Sequence, residues 1–307
     1  MIHTTELIIQ KDGAKTLLQC YKTNAEPISS ILILHGMAEH YKRYDAFVTY
    51  LLDQGLDVYI YNHRGHGTDK HTRELGYIAP KDGYKLLISD GITILNYIKK
   101  NKRTGKLFLL GHSMGSLVSR CIIQSYHDLD GVILCGTTYP SKLKLVPGIL
   151  LTTLVKARYG PNHPSSFIDG IIFGSKDYKT LQKRTSFDWL TRNNHVVGAY
   201  IHDPYCGFVC STSFYQDLLK LTLSASTTKM VKRTPRKLPL YLIAGKDDPV
   251  GGMGKEINKL YTQLKRCKFE NVIKKLYPDC RHELLQELNA SEIMHDISHW
   301  IKKTISL

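Results

Sequence analysis

Ser113 lies between two glycines in Gly111-His112-Ser113-Met114-Gly115, a spacing that presents a hydroxyl at a sharp turn. A serine is a poor nucleophile at neutral pH unless a base takes its proton and an acid orients that base. Both are available downstream: Asp247 and Asp248 follow "LYLIAG", and His282 follows "VIKKLYPDCR". Where the serine sits on a strand-to-helix turn, the chain order is serine, acid, histidine, and the order here is the same. Of the fourteen histidines, His282 alone is both downstream of these aspartates and in a loop directly after a predicted strand. His295 and His299 fall in a predicted terminal amphipathic helix. Acyl transfer also needs backbone N–H groups aimed at the developing oxyanion. Met114, just after the serine, is expected to supply one. Met37, in the loop His35-Gly36-Met37, is expected to supply the other. His35, Gly36 and His112 are further candidates for substrate contact, and Arg64 is a candidate for meeting an anionic substrate group. The plain alternatives are a helix N-cap for Ser113 and a strand-ending turn for His35-Gly36.

These groups can meet only if strands and helices carry them to one edge. "ILIL" (31–34), "VYIY" (58–61), "LFLL" (107–110), "VILC" (132–135), "LYLI" (240–243) and "VIKKL" (272–276) read as strands. The first five are nearly continuous apolar runs, as expected of strands covered on both faces. Between them, Tyr44, Phe47, Val48, Leu51 and Leu52 keep helical spacing, as do Met114, Leu117, Val118, Cys121 and Ile122. Leu87, Gly91, Ile94, Leu95 and Ile98 follow nearly the same stripe. Alternating strand and helix predicts an α/β fold: a mostly parallel sheet with helices on both faces. The N-terminal stretch instead predicts a hairpin turning near Asp12-Gly13, and so an antiparallel edge. The rhythm stops between Tyr139 and about Arg236. Residues 1–139 and 236–307 are therefore expected to form the core, and 140–235 an inserted, mainly helical cap.

Composition narrows the function classes. The chain has 307 residues, 42% hydrophobic and 22% charged, as in ordinary globular proteins. Its net charge of +15 invites a nucleic-acid reading, but the basic residues are scattered. The densest cluster, "KMVKRTPRK" (229–237), is short and lacks aromatic residues for stacking. No nucleic-acid partner is expected; weak attraction to an anionic membrane is. The N-terminal "MIHTTELIIQ" has no basic region leading into a long apolar stretch, so no signal peptide is expected. "LVPGILLTTLV" (145–155) is too short to span a bilayer; the apolar stretch 143–155 is expected to line an acyl pocket, touch lipid, or form the buried face of the cap. Seven cysteines without repeated spacing fit reduced thiols in a cytoplasmic protein. His63 and His66 have ligand-like spacing, but a loop bordering the site is expected there and no metal. Cys280 is expected to fill a small space, and Asp90 to be a hydrogen-bonded structural carboxylate.

The residues together resemble the α/β-hydrolase superfamily. The carrying motifs are "HGMAEHYKRY" (35–44), "YNHRGHGTD" (61–69), "GHSMGS" (111–116), "AGKDDPV" (244–250) and "RHELLQE" (281–287). They are most similar to the monoacylglycerol lipase and lysophospholipase branch, also described as serine aminopeptidase-like (S33-type) hydrolases. "SFDWLTRN" (186–193) and "DPYCGF" (203–208) look like bacterial members. The resemblance runs from about residue 5 to residue 303. It implies a catalytic triad of Ser113, Asp248 and His282, with Asp248 preferred to Asp247 because the acid stands three residues after the strand-ending Gly245. Ser116 departs from the common second glycine of "GHSMGG", which bears on helix packing and not on chemistry. The resemblance further implies an acyl-enzyme mechanism on a small acyl ester, such as a monoacylglycerol or lysophospholipid, with no metal or organic cofactor. Amide, peptide, thioester or lactone hydrolysis, or ligand binding without turnover, are the alternatives on this scaffold. Chain length and head group depend on the shape of the cap, and the motifs leave oligomeric state open.

Overall fold

The computed structural model describes residues 1–69, 71, 74–174, 176–181 and 184–306. The side chains of Lys229 and Met230, at the start of the basic cluster, lie outside the described residues. The strands are β1 (Ile2–Ile9), β2 (Lys15–Lys22), β3 (Ser29–Leu34), β4 (Leu56–Tyr61), β5 (Leu107–His112), β6 (Gly131–Cys135), β7 (Leu240–Gly245) and β8 (Val272–Tyr277). They form one eight-stranded sheet in the order β1-β2-β4-β3-β5-β6-β7-β8. β1 and β2 are the antiparallel hairpin, turning where Gly13 takes a φ of 81°. β2 also pairs antiparallel with β4, and all later pairings are parallel.

The helices before β7 are α1 (Asp45–Asp53), α2 (Gly83–Asn101), α3 (Met114–Ile122), α4 (Lys142–Tyr159), α5 (Ser166–Phe173), α6 (Lys176–Leu181), α7 (Asn194–His202), α8 (Thr212–Ser226) and α9 (Thr228–Val231). Two more follow it, α10 (Lys255–Arg266) and α11 (Ala290–Ile305). Every residue of β3 to β7 is buried, which is why those runs are apolar without interruption. Alternate side chains feed two cores. Ile31, Ile33, Phe108 and Leu110 meet Phe47 and Leu51 of α1 and Ile293 and Ile297 of α11. Leu32, Leu34, Leu107 and Leu109 face the other way, toward α2, α3 and α10.

α4 to α9 occupy the interval between β6 and β7, and their packing is not uniform. Phe214, Tyr215 and Leu221 of α8 join the same core as β3 and β5, so this helix packs as part of the sheet's covering layer. Tyr178, Trp189, Leu190, Tyr200 and Cys206 form a separate small cluster above the strand ends. α4 buries Leu145 and Thr152 but turns Leu143, Val146, Leu150 and Leu154 outward. No helix among the described residues is long and apolar enough to cross a membrane.

Candidate active site

β5 ends at His112 and α3 begins at Met114, so Ser113 alone makes the turn. Its backbone takes φ 51° and ψ −117°, a conformation costing on the order of 1–3 kcal/mol for a residue with a side chain. The Ser113 N–H donates to the Cys135 carbonyl at 2.9 Å and helps hold it there. The flanking glycines are required by close approach: a Cβ on Gly115 would lie 2.1 Å from the Leu34 carbonyl oxygen, and one on Gly111 2.4 Å from that of Gly115.

Ser113 Oγ lies 2.8 Å from Nε2 of His282, whose Nδ1 is 3.0 Å from each carboxylate oxygen of Asp248. An ionised Asp248 can only accept, so Nδ1 donates and Nε2 is left bare toward the serine hydroxyl. Asp248 is fully buried, and Val250 N–H donates to its Oδ1 at 2.9 Å. The imidazole meets Asp248 and not Asp247. Burial alone would disfavour the imidazolium of His282. The Asp248 carboxylate, with Glu283 and Glu39 further off, outweighs this and raises its pKa above the ordinary histidine value.

Glu39 and Glu283 belong to a buried ion group under the histidine. Arg43 reaches Glu283 through both terminal nitrogens, at 2.5 and 2.7 Å, and Glu39 at 2.8 Å. Two carboxylates share one guanidinium, which leaves a negative field beneath His282. His112 stands beside it, its ring centre 4.9 Å from that of His282. Burial and the neighbouring His282 press the His112 pKa down to about 4, so it stands neutral. Glu39, Arg43 and Glu283 lay within the motifs "HGMAEHYKRY" and "RHELLQE", but nothing in their spacing disclosed that they meet.

The loop after β3 divides its N–H groups. Gly36 donates to Glu39 Oε1 at 2.6 Å and Ala38 donates to His66 Nε2 at 3.1 Å. Between them the Met37 N–H, like that of Met114, donates to no group among the described residues. Met37, Met114, Gly36, His112, Ser113 and His282 all border one cavity of about 460 Å³. Leu117, Leu145, Phe173, Trp189, Phe208 and Leu218 give it an apolar wall. Its size falls in the range of roughly 300–1,000 Å³ typical of small-molecule sites.

Two expected contacts point elsewhere. His35 is fully buried: its Nδ1 donates to the Gly36 carbonyl at 2.7 Å and its Nε2 accepts the His63 N–H at 3.0 Å, leaving nothing for a substrate. Arg64 borders a different hollow, of about 590 Å³, and is held by Asp90 at 2.6 Å and Asp12 at 2.7 Å. Asp90 is thus an ion-paired structural carboxylate. Proximity to a strand end is visible in sequence; the direction a side chain takes from it is not. His66 uses both ring nitrogens on backbone groups, so it cannot pair with His63 as a metal chelate. His40, Asp203 and Cys206 bring ligand atoms within 4.8 Å of one another. His40 Nε2 already bonds Asp203 Oδ2 at 2.8 Å, a tie between the loop after β3 and the segment after α7.

The mostly parallel sheet, the serine at the strand-to-helix turn and the histidine after the last strand define an α/β-hydrolase fold. Within that class the chain belongs to the family described as "Serine aminopeptidase, S33", whose profile matches residues 25–289. Monoglyceride lipase of Mus musculus is 22% identical over 309 residues, spanning 97% of this chain and 90% of that protein. Monoacylglycerol lipase of Mycolicibacterium smegmatis is also 22% identical, over 94% of this chain and 93% of that one. Among solved structures, a thermostable carboxyl esterase from Bacillus coagulans, in complex with glycerol, superimposes with a TM-score of 0.89 at 24% identity, covering 99% of both chains. A soluble variant of monoglyceride lipase from Saccharomyces cerevisiae does so with a TM-score of 0.73 at 18% identity, over 99% of this chain and 95% of that one.

Proposed function

We propose that the protein is a serine carboxylic ester hydrolase that cleaves monoacylglycerol or lysophospholipid-like esters through Ser113, His282 and Asp248. The observation that carries this reading is the relay from Ser113 Oγ through His282 to a fully buried Asp248, opening into an apolar cavity. His282 takes the serine proton as Oγ attacks the ester carbonyl. The N–H groups of Met37 and Met114 stabilise the oxyanion. The alcohol leaves with the proton from His282, and a water then repeats the sequence on the acyl-enzyme. The apolar wall takes the acyl chain by burial alone. The lipase names of the relatives support the acyl-ester class.

In the same reading, residues 140–235 act as the cap, and its outward face on α4 meets the lipid that supplies substrate. Leu143, Val146, Leu150 and Leu154 are exposed along one side of the helix, beside exposed Lys142, Lys144 and Arg158. That combination suits an anionic bilayer surface. The protein is expected to release p-nitrophenol from acyl esters, to free fatty acid from monoacylglycerol, and to bind a fluorophosphonate covalently at Ser113. Ser113→Ala should lower turnover by roughly 10⁶-fold and abolish labelling. An inactive and unlabelled wild type would refute the reading.

A further inference from the structure

The conformation of the Met37 loop is held from outside. Ala38 sits in the left-handed region, at φ 53°, which a residue with a side chain keeps only when its surroundings impose it. Its carbonyl accepts from Tyr200 Oη at 2.9 Å and from Gly207 N–H at 3.0 Å. Its N–H goes to His66 Nε2 at 3.1 Å. His66 is fixed in turn: its Nδ1 faces the Arg64 carbonyl at 2.9 Å, which can only accept. The proton therefore resides on Nδ1, and Nε2 is the bare acceptor that Ala38 requires. The ring is fully buried against Phe208, Phe214 and His35.

Resting on the assignment of Met37 as an oxyanion donor, we propose that His66 is a positioning residue for acyl transfer. Its neutral, Nδ1-protonated imidazole pins the Ala38 peptide, and so keeps the adjoining Met37 N–H free and turned to the site where charge develops above Ser113. Without an acceptor at that point, the Ala38 N–H is buried and unpaired, and the loop must rotate to satisfy it. Rotation about Ala38 carries the Met37 peptide with it. Burial, with His35 beside it, holds the His66 pKa down to about 3, so the acceptor persists through the working pH range.

Nitrogen-detected NMR of the wild type tests the tautomer: one protonated Nδ1 and one bare Nε2 at His66, unchanged between about pH 5 and pH 9. A ring that titrates in that window, or carries its proton on Nε2, overturns the inference. Kinetics test the consequence. His66→Leu removes the acceptor at similar bulk, and His66→Gln retains an acceptor near Nε2. The leucine variant is expected to lose about 10–100-fold in kcat with KM within about twofold, and to bind a trifluoromethyl ketone correspondingly more weakly; glutamine should recover most of both. A folded His66→Leu with wild-type kcat, or equal losses in both folded variants, overturns the proposal. Should the leucine variant fail to fold, the glutamine variant and the wild-type spectrum still decide. A wild type that turns over no ester counts against the hydrolase reading; normal wild-type turnover beside an unimpaired His66→Leu counts against His66 alone.

Discussion

Strands β3 and β5 to β7 bury every residue, whereas α4, a few residues after β6, leaves Leu143 87% exposed and Leu150 and Leu154 each 61% exposed. The two regions use apolar side chains for different ends. In the sheet, both faces are closed, so each side chain contributes to folding, by about 25 cal/mol for every Å² removed from water. On α4 the same residue types face outward, where they add nothing to the folded monomer and remain available to a ligand or surface. Between these extremes lies the stretch around Trp189 and Tyr200, which is packed yet belongs to neither core. Leu190 accepts the Glu283 N–H through its carbonyl at 2.7 Å, and Arg281 donates to the carbonyls of Asp188 and Thr191. The interval between β6 and β7 thus contains an outward-facing apolar helix and a segment tied to the loop that bears His282.

The contrast can be broken in descending steps. The largest effect is expected where the acid meets the base: Asp248→Asn should lower kcat about 10⁴-fold in a protein that stays folded, while Asp247→Asn should lie within about tenfold of wild type. Equal losses would dissolve the distinction between them. Next comes the sheet. Leu32→Ala should cost about 2–5 kcal/mol in urea unfolding, because the fully buried site can collapse only partly. A loss below about 1 kcal/mol would show that the closed core tolerates voids.

A smaller effect is expected at Glu283. The raised pKa of His282 means that the neutral base appears only above the ordinary histidine range, so the acid limb of kcat/KM should lie above about pH 6.5. The same raised value adds stability that is complete below the unfolded-state pKa and fades as pH rises through the folded-state value. Glu283→Gln removes one negative charge and should move the limb to lower pH by less than about one unit. A move to higher pH would mean that the ion group does not act on the base. The smallest effect on stability is expected outside: Leu150→Ser with Leu154→Ser should change unfolding free energy by no more than about 0.5 kcal/mol each. It should nevertheless weaken cosedimentation with phosphatidylglycerol vesicles. Unchanged sedimentation would remove the surface role from α4.

The six predicted strands and the hairpin were legible because closed sheet faces demand unbroken apolar runs, and Gly13 marks a turn. Ser113, the pair Asp247-Asp248 and His282 stood out for a similar reason: each sits just past a strand end, where the chain must turn sharply; the preference for Asp248 over Asp247 came from the family resemblance. The pairing of Arg43 with Glu283 was not legible, since its partners are 240 positions apart and depend on how the turn before α1 and the loop after β8 converge. Nor was the membership of α8 in the main core, because its helical stripe is the same whether it covers the sheet or a cap. His35 and Arg64 failed for want of direction: residues next to a strand end can face the crevice, the core or a neighbouring hollow, and spacing along the loop does not choose.

The ties of residues 188–191 and 200–207 to the loops bearing His282 and Met37 have a consequence for altering this protein. α4 and α5 line part of the cavity through Leu145, Ile172 and Phe173 without contributing to either tie. They make none of the hydrogen bonds of those ties, although Ile168 is anchored in the main core and Phe173 stacks on Trp189. Exchanging the cavity-lining side chains Leu145, Ile172 and Phe173 is expected to reshape the cavity while Ser113, His282 and Asp248 keep their registration, whereas changes between Trp189 and Gly207 are expected to disturb the loops that carry His282 and Met37.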